Sequence, residues 1–167
     1  AFSKRKLEQS LARKLEILKM HNTNAFRLIA ADADGLRGIT FDVYVNIVVV
    51  QLLSSVAENH RSKILWSILQ IFPDAIVHER SDVDVRKKEG LTPLVQTLHG
   101  ELPDSVIIEE NGVKICVDLI NGHKTGFYLD QRENRRIAAS YCDGKTVLNY
   151  LSVAGTFDIY ALAAGAT

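Results

Sequence analysis

Two stretches of this chain concentrate side chains that could do chemistry. The first is His123-Lys124-Thr125-Gly126-Phe127-Tyr128-Leu129-Asp130-Gln131-Arg132-Glu133-Asn134-Arg135. It crowds imidazole, hydroxyl, carboxylate, amide and guanidinium groups between a hairpin signal and a helical stretch. Asp130 could simply cap that helix, or pair with Arg132 for little gain. The second stretch, Thr146 to Phe157, reads as strand, glycine turn, helix. There a strand end lies open, a helix N-terminus offers free N–H groups, and Gly155 lets backbone approach a nucleotide-type ligand. The turn lacks the Gly-x-Gly-x-x-Gly spacing that a pyrophosphate cofactor needs. An ordinary strand-to-helix turn would read the same.

Several elements must position these groups. Leu7, Leu11, Leu15 and Leu18 fall on one face of a helix over residues 4 to 20, which carries six basic and two acidic side chains. This is a solvated basic face, or else a patch near RNA. Phe26 to Ile29, Ile39 to Phe41 and Ile47 to Leu53 read as strands, with Asp42 to Asn46 as a tight connection. Ser55-Val56-Ala57-Glu58 has the form of a capping box. It opens a helix with a buried stripe of Ile64, Leu65, Ile68, Leu69 and Phe72, ended by Pro73. Ala75 to Val77 is a further strand, and residues 80 to 103 read as a linker or binding loop. Asn111-Gly112 joins two short strands, Val106 to Glu109 and Val113 to Asp118, in a hairpin. Gln131 to Tyr141 reads as helix, Thr146 to Leu148 as a short strand, and Gly155 opens a last helix.

The chain has 167 residues, 20 basic and 20 acidic side chains, and 47% hydrophobic residues. That excludes a disordered tail, a collagen-like repeat and a disulfide scaffold. Zero net charge argues against a dedicated nucleic-acid binder. Cys116 and Cys142 read as buried free thiols in a reducing, cytoplasmic compartment. No apolar run approaches the ~20 residues of a membrane helix, so no membrane partner is expected.

The runs HKTGFYLDQRENRR and VLNYLSVAGTF resemble the large-subunit ribosomal RNA methyltransferases built from a PUA domain, an EEHEE domain and an S-adenosylmethionine (SAM)-dependent methyltransferase domain. RSDVDVRKKEGL at 80 to 91 and FRLIAADADGLRGITFDVY at 26 to 44 also look like that family. The resemblance implies an α+β EEHEE domain, then a β-hairpin and the start of an α/β Rossmann-like methyltransferase domain. Residues 1–24 would be a linker helix, 25–104 the EEHEE domain, and 105–167 the truncated opening of the methyltransferase domain. The PUA domain would precede Ala1, so the zero charge of this stretch would not speak against RNA.

The resemblance implies SAM as cofactor, bound by Thr125, Phe127, Asp130, Gln131, Arg132, Asn149, Ser152 and Gly155. It departs from the family pattern at Leu151, Val153, Ala154 and Thr156, where two hydroxyls are lost, and at Val45-Asn46, where the family has Gly-Asp. The implied reaction is methylation of 23S ribosomal RNA at cytosine C5, through a cysteine nucleophile. Neither cysteine here matches that nucleophile's position. The catalytic groups are therefore expected beyond Thr167, no metal is expected, and these residues alone should be inactive. Guanine-N7 methylation is the close alternative, and a non-catalytic RNA-positioning or dimerisation module the rival. Val147, Leu148, Phe157, Ile159 and Leu162 would form an exposed apolar patch. That patch implies a homodimer or a disordered C-terminus.

Overall fold

The computed structural model describes residues 4–150 and 152–167, with Ile17 described by its backbone alone. The leucine stripe forms helix α1 (Lys4–Met20). Leu7 is fully buried and Leu11 and Leu18 pack beside it. Leu15, expected on the same face, is 47% exposed, and none of the described residues covers it as Leu7 is covered.

A five-stranded sheet follows, in the order β1 (Ala25–Ala30), β2 (Ile39–Tyr44), β3 (Ile47–Leu52), β4 (Ile76–Ser81), β5 (Leu94–His99). All neighbours are antiparallel except β3 and β4. A parallel pair needs a crossover, supplied here by α2 (Ser55–Asn59) and α3 (Arg61–Leu69). The cap of α2 is Ser54, whose hydroxyl accepts from the Ala57 amide at 3.2 Å. The expected Ser55–Glu58 box does not form, because Glu58 pairs with Arg61 at 2.6 Å and Arg86 at 2.9 Å.

Residues 80 to 103 are not one loop. Arg80 and Ser81 finish β4, a short helix α4 (Val85–Lys88) follows, and β5 is the sheet edge. The hairpin is as expected: β6 (Val106–Glu110) and β7 (Val113–Val117) flank Asn111-Gly112. Helices α5 (Arg132–Ala139) and α6 (Thr156–Ala163) complete the described residues. Thr146 to Leu148 is not a strand: among the described residues no strand lies beside it. The C-terminal residues form α6, on which Tyr160 and Ala161 are buried.

The sheet is covered on both faces. Leu7, Ile64 and Ile68 of the helices pack with Leu28, Phe41, Val43, Val48 and Val50 on one side. On the other, Tyr44, Ile47 and Val49 pack with Ile108, Ile115, Phe127 and Tyr160. Central strands buried on both faces lose the in-and-out alternation of a half-exposed sheet. Every residue of β2 is buried, Asp42 included.

Asp42 is the polar exception that binds the two sides together. Its carboxylate takes a bidentate pair from Arg27, both bonds 2.8 Å. It also accepts from the Thr125 hydroxyl at 2.6 Å. Thr125 has one proton to give, so it accepts in turn from the Tyr44 hydroxyl at 2.9 Å. Burial, with the Asp42 charge beside it, pushes the Tyr44 phenol up, which keeps that proton in place.

The β2–β3 connection is only Val45-Asn46, because β2 runs through Tyr44. Val45 sits at φ +59, a region costly for a β-branched residue. Its side chain is 45% exposed, so little packing offsets the strain. Val45→Gly should therefore stabilise the fold by about 1 kcal/mol, read as a higher urea midpoint; a lower midpoint would refute the strain. Thr125→Val keeps the shape but strands two buried groups. It should cost about 1–3 kcal/mol, and an unchanged midpoint would show that the Asp42–Thr125–Tyr44 chain is dispensable.

Candidate functional site

The residues of the first chemical stretch are organised by Glu110, at the end of β6 and 0% exposed. Its carboxylate accepts from Arg135 Nε at 2.6 Å, Arg132 Nε at 3.3 Å and the Tyr160 hydroxyl at 3.1 Å. Burial, reinforced by this carboxylate, pushes the Tyr160 phenol up to about 12. Hairpin, α5 and α6 thus meet on one buried anion. Buried charges are tolerated only when paired and hydrogen-bonded in this way.

Arg135 has a second role. Its guanidinium lies 4.6 Å from the Phe127 ring centroid, a cation–π contact. Nη1 donates to the Tyr128 carbonyl at 3.2 Å. Nη2 is buried and has no partner among the described residues. Arg135 also lines a cavity of about 640 Å³, within the usual range for small-molecule sites. The cavity lies between β7, the turns around residues 118–128 and the loop leading into α6.

Both loops are braced from outside. Arg80 reaches from β4 to donate to the carbonyls of Leu119 at 2.9 Å and Gly122 at 3.1 Å. Asp118 accepts from the amides of Ile120 and Asn121 at 2.8 Å. Those bonds, with the Asn121 side chain, hold its carboxyl below the ordinary range. A Cβ at Gly122 would come within 2.2 Å of the Asp118 carbonyl, so only glycine closes this turn. On the other side, Asp158 of α6 accepts from Asn149 Nδ2 at 2.9 Å and Ser152 Oγ at 3.3 Å. Ser152 Oγ in turn accepts from the Gly155 amide at 3.0 Å. Gly155, at φ +61, occupies the N-cap position of α6. Gly155 offers no side-chain cap, so the first N–H groups of α6 lack that partner, and Thr156 at the start of the helix lines the cavity.

The expected site residues divide. Phe127, Gln131, Asn149 and Ser152 line this cavity, and Gly155 shapes its edge. Asp130 lies on a neighbouring groove, which Gln131 and Phe127 also line. Asp130 neither caps α5 nor pairs with Arg132. Thr125 and Arg132 do not line the cavity. Thr125 is spent on Asp42 and Tyr44, and Arg132 on Glu110 and, at 2.5 Å, the Ala25 carbonyl. Val153, Ala154 and Thr156 line the wall as expected of that turn, whereas Leu151 lies outside the described residues.

Cys142 is buried, but Cys116 is exposed and lines the cavity. Strand alternation turns Ile115 and Val117 into the core and Cys116 out. Sequence reasoning also passed over Glu110 and Arg80, whose partners are distant in the chain, and Asp158, which bonds Asn149 and Ser152 nine and six residues before it. Arg135 carried a signal, since it follows Arg132 by three positions and so shares its face of α5.

The S-adenosylmethionine-dependent methyltransferase family matches residues 75–167, which hold the whole cavity. The chain is 54% identical over 165 residues to a ribosomal RNA large subunit methyltransferase I from Pseudoalteromonas atlantica. It is 54% identical to the protein of that name from Alteromonas mediterranea and 53% to that from Shewanella frigidimarina. Each alignment covers 99% of this chain and 42% of the relative, so the chain spans about two fifths of their length. A Streptococcus mutans structure assigned to the SAM-dependent methyltransferases superposes with a TM-score of 0.82 at 29% identity, over 98% of this chain and 42% of that one. A methyltransferase structure complexed with SAH aligns equally well, over 98% of this chain and 41% of that one. The chain, a mixed α/β fold on a five-stranded sheet, belongs to the S-adenosylmethionine-dependent methyltransferase family.

Proposed function

We propose that this chain forms one wall of the SAM site of a large-subunit ribosomal RNA methyltransferase, with cytosine C5 as the target atom. In this reading residues 25–104 are the EEHEE domain and 105–167 open the methyltransferase domain. The observation that carries it is Arg135, which lines a cofactor-sized cavity and keeps a buried Nη2 donor with no partner among the described residues. A buried donor left unpaired costs about 1–3 kcal/mol. A ligand carboxylate, such as the one at the methionine end of SAM, would remove that cost.

The other wall groups fit the same ligand. Phe127 offers an apolar face already stacked under Arg135. The start of α6 borders the cavity, and a helix N-terminus favours a negative charge. Asp158 ties Asn149 and Ser152 to α6, which shapes this side of the cavity. Thr125 and Arg132 would support the site from behind, through Asp42 and Glu110, instead of touching the cofactor. Bound SAM supplies a methyl group on a sulfonium, ready for transfer to a nucleophile. The names of the 53–54% identical relatives support ribosomal RNA as the acceptor.

Calorimetric titration of SAM into a protein that carries this chain at the full length of its relatives should give saturable binding, and absence of binding there would sink the reading. Arg135→Lys keeps the charge beside Glu110 but removes the free Nη2. It should weaken SAM roughly tenfold while the circular dichroism spectrum is retained; unchanged affinity would clear Arg135 of the role. Mass spectrometry of ribosomal RNA from a deletion strain should show one cytosine lacking its C5 methyl. Loss from guanine N7 would overturn the choice of base, and no loss at all would favour a non-catalytic module.

A further inference from the structure

A second cavity, of about 630 Å³, adjoins the first and shares Phe127, Tyr128 and Gln131 with it. Its charged rim is assembled from three separate elements: Lys14 of α1, Arg27 of β1, and Lys124 from the turn before the site. Lys14 and Lys124 make no hydrogen bond or ion pair among the described residues. Arg27 gives Nε and Nη2 to Asp42, which leaves Nη1 unbonded among them. Its side chain is 47% exposed. One carboxylate lies on the same rim, Asp130, and Arg132 beside it is already neutralised by Glu110.

Lys124 is held in an unusual conformation, at φ +60. Strain of this kind persists only where the surroundings fix it, and it clusters at binding sites. Here the fixing group is the next residue, Thr125, locked between Asp42 and Tyr44. The lock therefore sets where the exposed Lys124 leaves the backbone, on the rim of the groove. Tyr128, half-buried, forms the wall common to both cavities.

We propose that this groove is a phosphate subsite for single-stranded RNA. Lys14, Arg27 Nη1 and Lys124 would hold the phosphodiester flanking the target nucleotide. Tyr128 would offer a ring for stacking at the point where the base passes into the SAM cavity. Two lysines without a partner among the described residues and a half-exposed arginine, converging from separate elements beside an aromatic wall, suit a single strand. The location next to SAM rests on the methyltransferase reading above; the binding of RNA by the groove does not.

The test is fluorescence anisotropy with a labelled twelve-nucleotide single-stranded RNA of mixed sequence, over a range of salt. The double variant K14E/K124E should bind roughly tenfold more weakly at low salt. The slope of log affinity against log salt should flatten by about 1.4, as for two lost single-strand phosphate contacts. K14Q/K124Q should fall between it and the unmodified chain. K63E/K88E makes the same charge change on exposed lysines that do not line the groove and should bind as the unmodified chain does. Equal weakening by both reversals, or no weakening by K14E/K124E, would overturn the proposal. SAM titration of K14E/K124E separates the two readings. Retained SAM binding with lost RNA binding supports both. If the protein at the full length of its relatives binds no SAM at all while the RNA result holds, only the cofactor reading fails.

Discussion

The pairing of one buried carboxylate with two buried guanidiniums sets the geometry on which the site depends. Glu110 gathers Arg132, Arg135 and Tyr160, and through them α5 and α6, onto the end of the hairpin. Removing one member of such a cluster would leave an uncompensated charge, at about 3–5 kcal/mol. The arrangement is therefore close to all-or-none. It also leaves Arg135 Nη2 without a partner among the described residues, on a side chain that lines the cavity.

A similar economy joins the sheet to the site. Asp42 lies in a strand buried on both faces, where an unpaired charge would not be tolerated. Arg27 pairs it from the groove side, and Thr125 from the first chemical stretch. Arg80 bridges in the same sense, from β4 to the turn at Leu119 and Gly122. The five-stranded sheet is thus the platform that fixes the loops around the cavity, and its polar residues face inward for that reason.

Local signals predicted the local elements well. α1, the β6–β7 hairpin and α5 follow from helical or alternating spacing and from Asn111-Gly112, because their hydrogen bonds close within a few residues. The errors have a common cause. The end of β4 and all of β5 read as loop because their inward positions carry Glu79, Ser81 and Gln96. Glu79 and Ser81 are buried, and Gln96 half-buried, by bonding one another and Arg61, not by being apolar. Thr146 to Leu148 read as strand because its residues suit one, yet a strand exists only where another lies beside it. Ser54 displaced Ser55 as a cap because Glu58 had two arginines to satisfy.

By itself the sequence determined the class of chemistry. The block HKTGFYLDQRENRR and the turn VLNYLSVAGTF carry the resemblance to SAM-dependent methyltransferases, and five of the eight residues expected at the cofactor line or shape the cavity. Tertiary structure alone decided what each does. It turned Thr125 and Arg132 inward as braces, moved Asp130 to the neighbouring groove, and brought Arg135 to the cavity wall with a free donor. Residue type fixes which bonds a side chain can make. Which it does make depends on partners such as Asp42, 83 residues from Thr125, and Glu110, 25 residues from Arg135, and only the folded chain brings those together.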